Sequence, residues 1–218
     1  MIPLFHDFSG ETVLIFGGGS VGARKARRFA REATVVVVSP AFADDSFGGA
    51  ERVRGAPSIP EVGEWIDRFE PVLVVAATDE AALNEAITKA ARERQTLVNR
   101  TDQSGEREAG SVVVPATVHD DPVTVAISTG GASPALSKLL RQRIEQDIAG
   151  AGAMAELTSE LRLELQSANV APEARREAIR AVVKSDRVWK ALGTGTAKAR
   201  NEAQSVIDET VVGGDFDA

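Results

Sequence analysis

Apolar and polar positions follow two different rhythms along this chain. In the first half, short unbroken apolar runs stand between longer segments with helical spacing. ETVLIF (11–16), TVVVVSP (34–40), PVLVVAATD (71–79) and TLVNRTD (96–102) read as buried parallel strands closed by glycine, proline or polar residues. ERVRG (51–55) reads as a weaker strand. ARKARRFARE (23–32) reads as a helix with Ala23, Ala26, Phe29 and Ala30 inward and Arg24, Arg27, Arg28 and Arg31 outward. DEAALNEAITKAARER (79–94) reads as a second helix, with Ala82, Leu83, Ala86, Ile87 and Ala90 on one side. This alternation predicts an α/β domain, a parallel sheet with helices on its faces, over residues 1–113.

The rhythm then changes. GSVVVPATV (110–118) and PVTVAISTGG (122–131) are β segments with no helix between them, a pattern for a hairpin. ASPALSKLLRQRIEQDI (132–148) reads as a helix with Ser133 as its N-cap, Pro134 at its first position, and Leu136, Leu139, Leu140 and Ile144 as its apolar stripe. These predict a small α+β unit over 114–150, with apolar content suited to an interface between two copies. Residues 151–210 read as helical: MAELTSELRLELQS, PEARREAIRAVVKS, SDRVWKALG with Trp189 and Leu192 inward, and one more helix after Gly193. VVGGDFDA (211–218) reads as a disordered tail.

Composition narrows the chemistry. The 218 residues include no cysteine, which removes disulfides, zinc–thiolate sites and cysteine nucleophiles. His6 and His119 are too few and too far apart for a histidine metal site, and no metal site is expected. His6 reads as structural and His119 as a surface residue. The net charge of -7 disfavours nucleic-acid binding, which needs a basic face. No apolar run approaches a membrane span and no secretory signal is legible, so a cytoplasmic protein is expected.

The stretch FGGGSVGARKARRF (16–29) carries the strongest motif. Gly17, Gly19 and Gly22 have the G-x-G-x-x-G spacing between a strand and a helix, the context that dinucleotide binding requires. The first glycine permits the tight turn, the second lets backbone approach a pyrophosphate, and the third lets helix pack on strand. The helix N-terminus offers N–H groups to phosphate, and Ser20 adds a hydroxyl. An NAD site usually has Asp or Glu at the end of the second strand; this chain has Ser39-Pro40, with no basic residue beside them in sequence for a 2′-phosphate. The motif alone leaves NAD and NADP open, NAD lacking fewer groups.

Several segments together carry a resemblance: GGGSVGARKA, VVSP, VVAATDE, LVNRTD and VTVAISTGGASPALSKLLRQRIE. The chain resembles the precorrin-2 dehydrogenase family, which includes the amino-terminal part of bifunctional siroheme synthases. The likeness runs from residue 1 to 150 and more weakly to Leu192. It implies a Rossmann-like domain, a dimerisation domain and a helical domain in a homodimer. It also implies NAD-dependent oxidation of precorrin-2 to sirohydrochlorin, with ferrous iron insertion in some members.

The resemblance assigns the catalytic carboxylate to Asp102 through the VN-x-x-D motif with Asn99. The residue follows a strand at the carboxyl edge of the sheet, where ligands bind in such folds, and a carboxylate can accept the proton that accompanies hydride loss. An Asp capping a turn is the bland alternative. Cofactor candidates are Gly17, Gly18, Gly19, Ser20, Val21, Gly22, Ser39, Pro40, Ala41, Ala77 and Thr78. Substrate candidates are Asn99, which stands at the nicotinamide side or the substrate edge, and Ser128, Gly130, Gly131, Lys138 and Arg141. The second group forms a glycine loop before a helix, able to hold an acid side chain of a polycarboxylate. In some relatives the serine matching Ser128 is phosphorylated. Arg100 and Arg107 flank Asp102 and are candidates for substrate carboxylates. Two other classes compete with the enzyme: a nucleotide-sensing module without chemistry, and a scaffold that binds a partner through its helical tail.

Overall fold

The computed structural model describes residues 2–103 and 111–213. They fall into two compact units, divided after Val114.

The first unit holds five strands: β1 (Thr12–Phe16), β2 (Thr34–Ser39), β3 (Glu51–Arg54), β4 (Leu73–Ala76) and β5 (Leu97–Arg100). They form one parallel sheet in the order β3-β2-β1-β4-β5. Helices α1 (Ser20–Phe29), α2 (Val62–Phe69) and α3 (Ala81–Glu93) cover it. Alternate strand residues go to opposite faces. Val13, Ile15, Val35, Val37, Leu73 and Val75 pack with Ala23, Ala26 and Phe29 of α1. Leu14, Phe16, Val36, Val38, Val74 and Val98 pack with Val62 and Ile66 of α2 and Ile87 and Ala91 of α3. Burial on both faces is why these strands read as unbroken apolar runs. The chain leaves β1 for β2 on one side and returns to β4 on the other, so the crevice between β1 and β4 opens at their carboxyl ends.

Three features depart from the reading of the sequence. Helix α1 begins at Ser20, directly from the glycine turn, and ends at Phe29. Helix α2 was not anticipated: it has eight residues and buries only Val62 and Ile66. Its sign was legible, because Ser58 and Glu61 make a capping box that leads into it through a short 3-10 turn. The inner face of α3 is Asn84, Ile87, Thr88 and Ala91, while Ala82 is exposed. Two polar residues are thus inside where an apolar pattern pointed elsewhere.

In the second unit, β6 (Ala116–Asp120) and β7 (Val123–Ile127) form an antiparallel hairpin. β6 includes His119 and Asp120 and begins only at Ala116; upstream, Ser111 makes one bridge to Val98 of β5. Helices α4 (Pro134–Asp147), α5 (Ala151–Ser167), α6 (Pro172–Lys184), α7 (Asp186–Leu192) and α8 (Thr196–Gly213) follow. Helices α5 to α8 share a core that includes Met154, Leu161, Val182, Val188, Ala199 and Ile207. Trp189 and Leu192 are only partly buried beside it. The Gly152 N–H donates to Asp120 Oδ2 at 3.0 Å, and a Cβ on Gly152 would lie 2.2 Å from the Asp121 carbonyl oxygen, so this glycine lets α5 start against the hairpin turn. Residues 211–213 close α8, and the rest of the expected tail, 214–218, lies outside the described residues. No helix among the described residues is long and apolar enough to cross a membrane.

Candidate cofactor and proton-transfer site

The glycine turn joins β1 to α1 at the open crevice. The Gly17 N–H donates to the Val38 carbonyl at 3.0 Å, and φ at Gly17 is +114°, where only glycine is at ease. A Cβ on Gly17 would lie 2.2 Å from the Ala77 carbonyl oxygen, so the turn sits against the end of β4. A Cβ on Gly18 would meet the Ala41 carbonyl at 2.3 Å and the Ser39 side chain at 2.8 Å. A Cβ on Gly22 would lie 1.9 Å from the Gly17 carbonyl, so this glycine brings α1 onto the turn. Gly19 differs: a Cβ there would meet nothing within 4 Å. The turn is closed from behind and open at its second motif glycine, beside the exposed Ser20, at the start of α1. That shape fits the pyrophosphate of a dinucleotide.

The fold brings the other cofactor candidates to this edge. Ser39 is buried behind Gly18, and Pro40 and Ala41 are exposed next to it. Ala77 and Thr78 extend β4 beyond the turn. The Thr78 N–H and hydroxyl both donate to Asn84 Oδ1, at 3.1 and 2.8 Å, and Asn84 Nδ2 donates back to the Thr78 carbonyl at 2.9 Å. Asn84 is fully buried and ties α3 to the cofactor edge. It was missed in the sequence because it stands in an otherwise ordinary helix; its buried position is the signal.

Asp102 stands at the same edge. Before it, Thr101 is bound twice to the Ala76 carbonyl, by its N–H and its hydroxyl, each at 3.0 Å. Asp102 does not stand alone. Arg100 Nε donates to its Oδ1 at 2.8 Å and Arg100 Nη2 to its Oδ2 at 3.2 Å. The same guanidinium reaches Glu85 through Nη1 and the Ala81 carbonyl through Nη2. The Arg100 side chain is 14% exposed and that of Asp102 28%. The Arg100 hydrogen bond, with a smaller contribution from Asn84, holds the Asp102 carboxyl below its ordinary value of 3.8 against the opposing effect of burial. Arg100 therefore meets carboxylates of this chain, where the sequence offered it to those of the substrate. A cleft beside this network is lined by Glu85, Thr88, Arg92, Arg100, Gln103, Ser111 and Val112, none of them in the glycine turn. Arg107 lies outside the described residues.

Asn99 is buried in β5 opposite Val75. Its Nδ2 donates to the Val112 carbonyl at 2.7 Å, while its Oδ1 has no hydrogen-bond partner among the described residues. A buried carbonyl oxygen left so costs about 1–3 kcal/mol, which a donor from a ligand would recover.

The remaining candidates belong to the second unit. Gly130 and Gly131 have φ of +66° and +90° in the loop before α4. Ser133 caps α4, its hydroxyl accepting from the Leu136 N–H at 3.2 Å. Much of the expected anion-binding capacity is already used. Gly130 N–H donates to Ser128 Oγ, Ala132 N–H to the Thr129 carbonyl, and Ser133 N–H to Thr129 Oγ1. Thr129 organises the loop, a role the motif did not suggest. Arg141 pairs with Glu145 at 2.9 Å, and Lys138 is exposed. His119 is exposed, with Nδ1 3.2 Å from Thr124 Oγ1, and His6 packs on Phe8. Among the described residues no three His, Asp or Glu side chains cluster to hold a metal.

Turn, crevice and carboxylate together define a dinucleotide-binding α/β protein. A family model described as "Putative NAD(P)-binding" matches residues 4–116, and one described as "Sirohaem biosynthesis protein central" matches 120–147. The chain is 34% identical over 220 residues to the precorrin-2 dehydrogenase of Methanosarcina barkeri, covering 97% of this chain and 95% of that one. It is 37% identical over 182 residues to the siroheme synthase of Azotobacter vinelandii, covering 82% of this chain but 38% of that longer protein. A solved structure titled "SirC, precorrin-2 dehydrogenase" shares the fold, with a TM-score of 0.70 at 22% identity over 94% of this chain and 98% of that one. The chain belongs to the precorrin-2 dehydrogenase family, whose domain also forms part of siroheme synthases.

Proposed function

We propose that this protein oxidises precorrin-2 to sirohydrochlorin with NAD as hydride acceptor, Asp102 taking the proton. One observation carries the reading. The open glycine turn abuts Ala77, and Asp102 follows Thr101, which is anchored to Ala76 one residue earlier on the same strand. Cofactor cradle and carboxylate meet at one sheet edge.

Gly17, Gly18, Gly19, Ser20, Val21 and Gly22 would hold the pyrophosphate, Ser39, Pro40 and Ala41 the adenosine side, and Ala77 and Thr78 the nicotinamide side. NAD, when bound, supplies the acceptor for the hydride. The chain's own residues handle the proton. Asp102 is ionised at neutral pH, and Arg100 holds its two oxygens in one orientation. An Arg-clamped carboxylate is a weak base. Substrate carboxylates drawing on Arg100 would restore ordinary basicity to Asp102 where the proton leaves. Asn99 Oδ1 would accept a hydrogen bond from cofactor or substrate.

The glycine loop with Ser128, Gly130 and Gly131, and Lys138 and Arg141 beyond it, would meet substrate acid groups. Leu136 and Leu139 are 45% and 44% exposed on α4, a surface that a second copy of the chain would cover. This reading keeps 114–150 as the dimerising segment and 151–210 as a helical domain. Ferrous iron would enter as a second substrate at the same carboxylate. A cytoplasmic location goes with the reading, since precorrin-2 and NAD are charged metabolites.

The test is anaerobic NADH formation from precorrin-2. The Asp102→Ala variant should keep its NAD affinity and lose about a thousandfold in turnover. Full activity of that variant would overturn the assignment. The Arg100 clamp favours one other reading, a dinucleotide-binding module without chemistry. NAD binding with no turnover in the unaltered protein would establish it.

A further inference from the structure

We propose that the same turn also accepts a dinucleotide with a 2′-phosphate on its adenosine ribose, and that Arg54 holds that phosphate. The proposal rests on the cofactor reading of the glycine turn above.

In this fold the residue at the end of β2 chooses between the two dinucleotides. A carboxylate there binds the ribose hydroxyls and repels a phosphate, whereas a nearby Arg accommodates it. This chain has no carboxylate at that position: β2 ends in Ser39, followed by Pro40 and Ala41. No basic residue stands beside them in the sequence, and the sheet supplies one. Arg54, fifteen positions later, ends β3 directly opposite Ser39 in the parallel register, and the Gly55 N–H donates to the Ser39 carbonyl at 3.1 Å.

The face is also right. Val53 packs with the α2 and α3 side of the sheet. Strand alternation therefore turns Arg52 and Arg54 to the α1 side. Arg52 confirms this, lying 5.8 Å from the ring centres of both Phe42 and Phe47, and Phe47 belongs to the α1-side core. Arg54 is two positions further along the same face, at the carboxyl edge. Its neighbour Ser39 touches the position of Gly18 in the turn. Arg54 is exposed and makes no hydrogen bond or ion pair among the described residues, whereas Arg52 lies against two rings and Arg27 donates to the Ser46 carbonyl. A planar guanidinium suits bidentate phosphate binding.

The carboxylates nearest in sequence, Asp44 and Asp45, are exposed in the loop after β2, where the Ala43 N–H donates to the Gly18 carbonyl at 2.8 Å. They lie past the strand end, so the position opposite Arg54 is held by Ser39 and not by a carboxylate. A strand end without a carboxylate and an unpaired Arg opposite it admit both dinucleotides.

Isothermal titration with NAD+ and NADP+ separately tests this, with no substrate present. The unaltered protein should bind NADP+ within about tenfold of NAD+. Arg54→Ala should weaken NADP+ roughly tenfold to a hundredfold and leave NAD+ within about twofold. Arg54→Lys should recover part of the NADP+ affinity, and NADP+ binding should weaken more steeply with salt than NAD+ binding. The proposal is overturned if NADP+ fails to bind where NAD+ saturates. It is equally overturned if Arg54→Ala leaves NADP+ affinity unchanged or weakens both dinucleotides alike. Failure of NAD+ itself to bind would instead remove the glycine-turn reading on which the proposal stands.

Discussion

The glycine turn and the Asp102 network lie at one sheet edge and are built in opposite ways. The turn is made of backbone: its shape depends on what Gly17, Gly18 and Gly22 lack, since carbonyl oxygens stand 1.9–2.3 Å from where their Cβ atoms would be. The network is made of side chains from separated elements: Arg100 at the end of β5, Glu85 and Asn84 on α3, and Asp102 beyond the strand. A backbone device leaves a fixed spacing in the sequence. A side-chain device leaves only its members, scattered.

The sharpest break in this comparison is within the turn. Gly22→Ala places a methyl group on the Gly17 carbonyl, and neither backbone can yield without moving α1 from β1. A loss of about 3 kcal/mol or more is expected, measured by urea denaturation. Gly19→Ala should do the reverse. Nothing lies within 4 Å of its Cβ, and φ there is -75°, so stability should stay within about 0.5 kcal/mol. Dinucleotide affinity should nevertheless fall, because the methyl group fills the open side of the cradle. If both variants lost stability equally, the turn would not have one closed and one open side.

The same contrast explains what was legible. The four buried strands, the G-x-G-x-x-G turn and the Ser133 cap follow local rules of period, spacing and capping, and the structure has them all. Asp102 was singled out as a candidate only through the family motif, because an Asp after a strand is commonly a turn residue. Asn84 and Thr88 were unreadable for a physical reason. Their burial answers to Thr78 and to a helical carbonyl, not to an apolar stripe, so the periodicity of α3 pointed to Ala82. Arg54 was hidden because a parallel pairing, and not sequence proximity, brings it to Ser39. The helix over 62–69 was missed although its capping box was in view.

Charge separates the two regions as well. On α1, Lys25 is partly buried beside Arg24 and Arg28, and burial first, then these neighbours, push it from 10.5 down to about 8. No carboxylate pairs with it among the described residues. The folded state thus binds this proton less tightly than the unfolded chain, and stability rises with pH between about 8 and 10.5. Lys25→Met should stabilise the protein by roughly 1–2 kcal/mol at pH 7. That gain should shrink as pH climbs through the same window, as thermal melts in a pH series would show. A gain that stays constant to pH 10.5 would mean that better apolar packing by the methionine, not removal of a dehydrated charge, separates the two proteins.

On α3 and β5 the charges are matched, and the sign reverses. Arg100 holds the Asp102 carboxyl below 3.8, so the pair stabilises the fold at any pH above that value and is lost as pH falls through the lowered one. Arg100→Gln should therefore cost about 1 kcal/mol from pH 5 to 8, a modest figure because Asp102 is partly exposed. The difference from the unaltered protein should diminish below pH 4 in urea titrations. The variant also returns Asp102 toward an ordinary carboxylate, a better base but one no longer held in place. Its turnover at neutral pH then reads which property matters. A faster variant would mean that Arg100 restrains the base until substrate arrives. A slower one would mean that orientation of the carboxylate outweighs its basicity, and that the side-chain device is as tightly specified as the glycine turn beside it.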